Sequence, residues 1–84
     1  MDNTVELEVR HIIGRISRVP SVDQLALEDD LFEKLGIDSM QRIEILIEIE
    51  KKFGIAVPDE EAQTLKRLSD FVDVVAKFKT NEKV

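Results

Sequence analysis

One hydroxyl in the chain stands where a group could be attached, in the stretch Leu35-Gly36-Ile37-Asp38-Ser39-Met40. A glycine interrupts the chain, Asp38 and Ser39 follow, and a helical pattern begins at once. The first turn of a helix carries partial positive charge and favours anions. A phosphate joined to the Ser39 oxygen would therefore sit in a favourable field. Ser39 is the candidate point at which this protein carries something. An isolated Asp-Ser pair is a weak signal, because it most often only caps a helix.

Other chemistries find no support. A nucleophilic serine needs a general base, and the single histidine, His11, lies in a different predicted helix with no orienting carboxylate at useful spacing. A surface or packing role suits His11 better. No glycine-rich phosphate loop is present, and Asp29, Asp30 and Asp38 do not fall at calcium-loop spacing. The absence of cysteine removes disulfides, thiolate metal sites and cysteine nucleophiles. Catalysis by this chain is not expected, and neither is a bound metal.

The element that must position Ser39 is a helix predicted over Ser39–Phe53. Asp38 suits its N-cap, and Gln41 three residues later completes a capping box. Ile45, Leu46, Ile49 and Phe53 share one apolar face at 3.6 residues per turn. Met40, Ile43 and Ile47 widen that face on the side nearest Ser39, beyond what one buried stripe requires. Such excess marks a docking patch or a pocket wall. Gln41, Glu44, Glu48 and Lys51 lie opposite. Gly36 before the helix and Gly54 after it are suitable stops.

The remaining elements form the scaffold. A first helix is predicted over Thr4–Ser17, capped by Asn3 with Glu6. Its inward stripe is Val5, Val9, Ile12, Ile13 and Ile16, with Glu6, Glu8, Arg10 and Arg15 off the stripe. Gly14 within it allows a close neighbour. Pro20, Ser21 and Asp23 open a long connection. Leu25, Leu27, Leu31, Phe32 and Leu35 require that connection to fold back onto the core, with a short turn near Asp30–Leu35. Asp59, Glu60 and Glu61 suit the first turn of a short third helix. Ser69 is the expected N-cap of a last helix that buries Phe71, Val72, Val75, Ala76 and Phe78, and residues 79–84 form a polar tail expected to fray.

With 84 residues, the chain is expected to form one domain over 1–84. Acidic residues outnumber basic ones 18 to 12, for a net charge of −6. That balance disfavours nucleic acid and anionic membranes as partners and favours basic protein surfaces. No apolar run approaches a membrane span and no signal-peptide pattern opens the chain, so a cytoplasmic location is the expectation; a monomer is the natural expectation for a chain that shuttles a cargo.

The stretch around Ser39 resembles the phosphopantetheine attachment site of acyl carrier proteins, and the likeness extends over nearly the whole chain. It includes Ile12-Ile13-Gly14, Leu31-Phe32, Leu35-Gly36, Phe53-Gly54-Ile55 and Val57-Pro58-Asp59-Glu60-Glu61-Ala62. The resemblance implies an all-α fold, a small four-helix bundle of three main helices and one short one with a long first loop. It implies that a separate magnesium-dependent phosphopantetheinyl transferase joins 4'-phosphopantetheine to Ser39, and that acyl groups travel as thioesters on that arm. It also implies that Asp38, Met40, Gln41, Ile43, Glu44, Ile47 and Glu48 form the recognition surface for the transferase and for acyl synthases and acyltransferases with basic docking surfaces. Gln41, Arg42, Lys51 and Lys52 occupy positions where many fatty-acid carriers are acidic, and Met40 replaces the commoner leucine. These departures point to partners outside the housekeeping fatty-acid set, in a dedicated acyl or polyketide pathway. A peptidyl or aminoacyl carrier, and an interaction module that keeps the fold without the arm, are the alternatives.

Overall fold

The apolar stripes of three long helices converge on one core. The computed structural model describes residues 3–19 and 22–80, and contains α1 (Asn3–Ser17), a 3-10 turn (Val22–Gln24), α2 (Leu31–Leu35), α3 (Ser39–Phe53), α4 (Asp59–Ala62) and α5 (Leu68–Thr80). The three long helices α1, α3 and α5 pack against one another. The short α4 is the minor helix of the expected bundle, and α2 is the turn expected within the first loop. Val9, Ile13, Leu31, Ile45, Ile49, Leu68, Phe71 and Val75 are fully enclosed. Among the described residues no helix is long and apolar enough to cross a membrane.

Helix α1 buries Val5, Val9, Ile12 and Ile13 as its periodicity requires, with Ile16 half-buried. It ends at Ser17, whose Oγ donates to the Ile13 carbonyl at 2.6 Å. Arg18 closes it with φ 63°, its N–H donating to Gly14 O. The Asn3 side chain, expected to cap this helix, and the Pro20-Ser21 turn lie outside the described residues. Glu6, the expected second half of that cap, instead accepts from Arg10 Nε at 3.0 Å and Nη2 at 2.8 Å.

Arg10 is a correction to the sequence reading. It was expected off the buried stripe, yet it is only 9% exposed, and its Nη1 donates to the Val22 carbonyl at 2.8 Å. The long aliphatic stem is covered while the guanidinium satisfies a loop carbonyl. Arg10 thereby fastens the start of the first loop to α1. Gly14 makes room for the same loop, since a Cβ there would lie 3.1 Å from Val22 Cγ1.

The rest of that loop folds back as expected for Leu25 and Leu31, which are buried, and for Phe32 and Leu35, which pack partly. Leu27 departs from expectation: its side chain is 41% exposed. What the fold uses is its carbonyl, which accepts from the Ser69 N–H at 2.8 Å. Alongside it, Leu68 N–H donates to Asp29 O and Leu31 N–H donates to Lys66 O, with a β-bridge between Asp30 and Arg67.

Ser69 is accordingly not the N-cap of the last helix. Helix α5 begins at Leu68, Ser69 lies in its first turn, and the Asp70 carboxylate accepts from the N–H groups of Lys66 and Arg67. Val74 joins Phe71 and Val75 inside, whereas Ala76 is exposed because its direction on the helix falls outside that face. Lys79 and Thr80, expected in the tail, still belong to α5. Residues 81–84 lie outside the described residues.

Candidate functional site

Ser39 is exposed and is the first residue of α3. Two devices fix it there. Asp30 caps α2 by accepting from Phe32 and Glu33 N–H groups, and Gly36 ends α2 in the left-handed region at φ 71°. A side chain at Gly36 would meet nothing, so glycine is needed for the backbone angle alone. Ile37 then drives inward and is 4% exposed. Immediately beyond it the chain turns outward through Asp38, Ser39 and Met40.

The expected capping box is formed. Gln41 N–H donates to Asp38 Oδ1 at 2.8 Å, and Asp38 N–H donates to Gln41 Oε1 at 3.2 Å. Among the described residues, the N–H groups of Ser39 and Met40 find no acceptor, as is usual for the first turn of a helix. The Ser39 oxygen thus leaves a rigid support beside free backbone donors. His11 lies along a groove with Lys51 and Lys52 at the opposite end of α3, about 18 Å along the axis from Ser39. That distance rules it out as the base for Ser39.

Beyond the serine, α3 presents the widened apolar face predicted for it. Ile45, Leu46 and Ile49 are buried, while Met40, Ile43 and Ile47 remain 65%, 50% and 45% exposed. Between α3 and α4 runs a cleft of about 220 Å³ lined by Arg42, Ile43, Leu46, Asp59, Ala62 and Gln63. Arg42 spans its upper edge, donating through Nη1 to the Gln63 carbonyl at 3.1 Å and standing 5.6 Å over the Phe32 ring.

The seven residues assigned to recognition by resemblance differ in how the fold engages them. Met40, Ile43, Glu44 and Ile47 face solvent. Gln41 and Asp38 are engaged with each other in the capping box. Glu48 turns toward α1, where Arg15 Nη2 approaches Glu48 Oε1 at 3.4 Å. Sequence reasoning missed Ile37 as the anchor of the site and Arg42 as a brace between elements. A single apolar residue between a stop glycine and a helix cap was the available signal for Ile37. For Arg42 there was none, since its partners come from other segments.

Comparison with known proteins agrees with this geometry. A family model described as the phosphopantetheine attachment site matches residues 8–75. An acyl carrier protein from Rickettsia bellii (strain OSU 85-389) is 39% identical over 80 residues, covering 95% of this chain and 96% of the relative. The chain belongs to the acyl carrier protein family. An acyl carrier protein from Akkermansia muciniphila is likewise 39% identical, over 90% of this chain and 94% of its own. A solved structure from Mycobacterium tuberculosis, described only provisionally as an acyl carrier protein, superposes with a TM-score of 0.81 at 28% identity, over 88% of this chain and 97% of that one. The family consists of carriers, not catalysts, and its small helical bundle is the fold found here.

Proposed function

We propose that Ser39 carries a 4'-phosphopantetheine arm and that this chain presents acyl groups to the enzymes of a dedicated acyl pathway in the cytoplasm. The observation that carries the reading is the exposed Ser39 on the first turn of α3, held by the Asp38–Gln41 capping box and preceded by the left-handed stop at Gly36. In the loading step the Ser39 oxygen attacks the phosphorus of coenzyme A that bears the pantetheine. A new P–O bond forms at Ser39, the pyrophosphate link breaks, the nucleotide half departs and the serine proton passes to the transferase. Once attached, the arm supplies a thiol that holds acyl groups as thioesters.

The residues present fit that group. The free N–H groups of Ser39 and Met40 and the helix end favour a phosphodiester anion. Asp38 keeps its carboxylate on the Gln41 N–H at 2.8 Å. Ile43, Leu46 and Ala62 form the apolar wall of the α3–α4 cleft, where each buried methylene of an acyl chain gains about 0.8 kcal/mol. Arg42 and Asp59 make the mouth of the cleft polar.

Intact-mass measurement tests the reading. Incubation with coenzyme A, magnesium and a broad-specificity phosphopantetheinyl transferase should add one arm to the chain and none to Ser39→Ala, with both keeping the same helical circular dichroism. No gain, beside a control carrier that loads, would overturn it in favour of an unmodified interaction module.

A further inference from the structure

We propose that Arg42 selects the cargo of the α3–α4 cleft, favouring uncharged acyl groups that carry a keto or hydroxyl oxygen over plain saturated chains of equal length. That the cargo is an acyl group rests on the carrier reading above. The preference among acyl groups rests on the side chains that line the cleft.

Ile43, Leu46 and Ala62 suit the methylenes of any acyl chain. The mouth of the cleft is unlike that wall. Arg42 is half-buried there, and although the chain holds 18 acidic residues, it forms no ion pair with any of the described ones. Of its guanidinium N–H donors, Nη1 alone has an acceptor among the described residues, the Gln63 carbonyl at 3.1 Å. The group otherwise stands over the Phe32 ring, a contact that uses its face and leaves the Nε and Nη2 donors to water. The facing wall is adjustable. Helix α4 buries no side chain of its own, and its ties to the long helices include this bond and the pair from Lys77 Nζ to Glu61 Oε2 at 2.7 Å.

A saturated chain that enters past Arg42 strips water from the guanidinium and returns no acceptor, which offsets part of the gain from burying its methylenes. A keto oxygen takes up one of the idle donors and replaces the lost water with a charge-assisted hydrogen bond. A hydroxyl oxygen accepts in the same way. A carboxylate also attracts Arg42, but Asp59 lines the same cleft without an ion-pair partner among the described residues, and Glu60 and Glu61 follow it in α4. That concentration of negative charge opposes an anionic cargo. The combination of an under-used cation, an apolar wall and an acidic rim is met by a neutral chain bearing oxygen.

Two routes of attachment test the selection. In the first, a phosphopantetheinyl transferase loads the chain from coenzyme A analogues that end in an amide-linked hexanoyl group or its β-keto counterpart. In the second, Ser39→Cys, in a chain that has no cysteine of its own, is alkylated with arms of the same length and cargo, so no transferase is needed. Methyl NMR shifts of Ile43, Leu46 and Ala62 then give the ratio of sheltered to free cargo. That ratio should be about tenfold higher for the keto cargo, whose oxygen gains a charged donor, and the Arg42 Nε–H signal should shift with that cargo alone. Arg42→Met keeps the stem without the donors and should reverse the order, whereas Arg42→Lys should keep it at about threefold. A cargo ending in a carboxylate should be sheltered no better than hexanoyl. Circular dichroism checks that each variant stays helical. A brace with no part in selection would lower both cargoes equally on Arg42→Met, and that result would overturn the inference. So would equal sheltering of the two cargoes in the unaltered chain, no sheltering of either, or a carboxylate sheltered above the keto group. The expected pattern on the alkylated chain, with no arm added by the transferase, would remove the carrier reading and leave the assignment of Arg42 standing. An arm added without cargo preference would do the reverse.

Discussion

Helices α1 and α3 are each 15 residues long and amphipathic, yet they treat their apolar residues differently. Helix α1 encloses four of them and leaves a lone leucine, Leu7, in solvent, as surfaces commonly do. Helix α3 encloses Ile45, Leu46 and Ile49 but leaves Met40, Ile43 and Ile47 on one exposed face. The fold needs only the first set of each helix. The second set on α3 is surplus to the bundle, lies next to Ser39, and is where function is to be sought.

The contrast yields graded expectations. In α1, Ile13→Ala should destabilise the bundle by about 2–5 kcal/mol in denaturant unfolding, through lost burial and the cavity left behind. Removing Arg10 as Arg10→Ala should cost about 1–3 kcal/mol, because the buried Val22 carbonyl loses the charged one of its two donors and keeps only the Leu25 N–H. Gly36→Ala forces a Cβ into left-handed backbone and should cost about 1–2 kcal/mol, and it should also slow loading by shifting the approach to Ser39. On the exposed side of α3, Ile43→Ser should change stability by no more than about 0.5 kcal/mol. If Ile43→Ser proved as costly as Ile13→Ala, both faces would be structural and the contrast would fail.

Much of this was legible in the sequence. The bounds of α3, its capping box, the stop at Gly36 and the exposed apolar surplus all follow from local chemistry, because each involves residues within one or two helical turns. The parts that were not legible depend on how one helix is rotated against another. Periodicity placed Arg10 outside the stripe, but only the path of the Val22 turn shows that its guanidinium has a buried carbonyl to reach. Ser69 has the right type for a cap, and its N–H is instead taken by Leu27 of a distant loop. Glu48 reads as solvated until α1 brings Arg15 beside it. Charge was legible in part: three carboxylates against three cations in α3 read directly from the sequence, whereas the pairing of Glu48 with Arg15 and of Lys52 with Glu8 does not.

The three backbone hydrogen bonds that tie Leu27, Asp29 and Leu31 to the residues entering α5 act as a buckle between two strips of chain distant in sequence. Through Leu31 and the short helix it begins, that buckle reaches the glycine on which the loaded serine turns. Lengthening or cleaving the strap between α4 and α5 would slacken the approach to Ser39 from the opposite end of the sequence, without altering any atom of the attachment stretch.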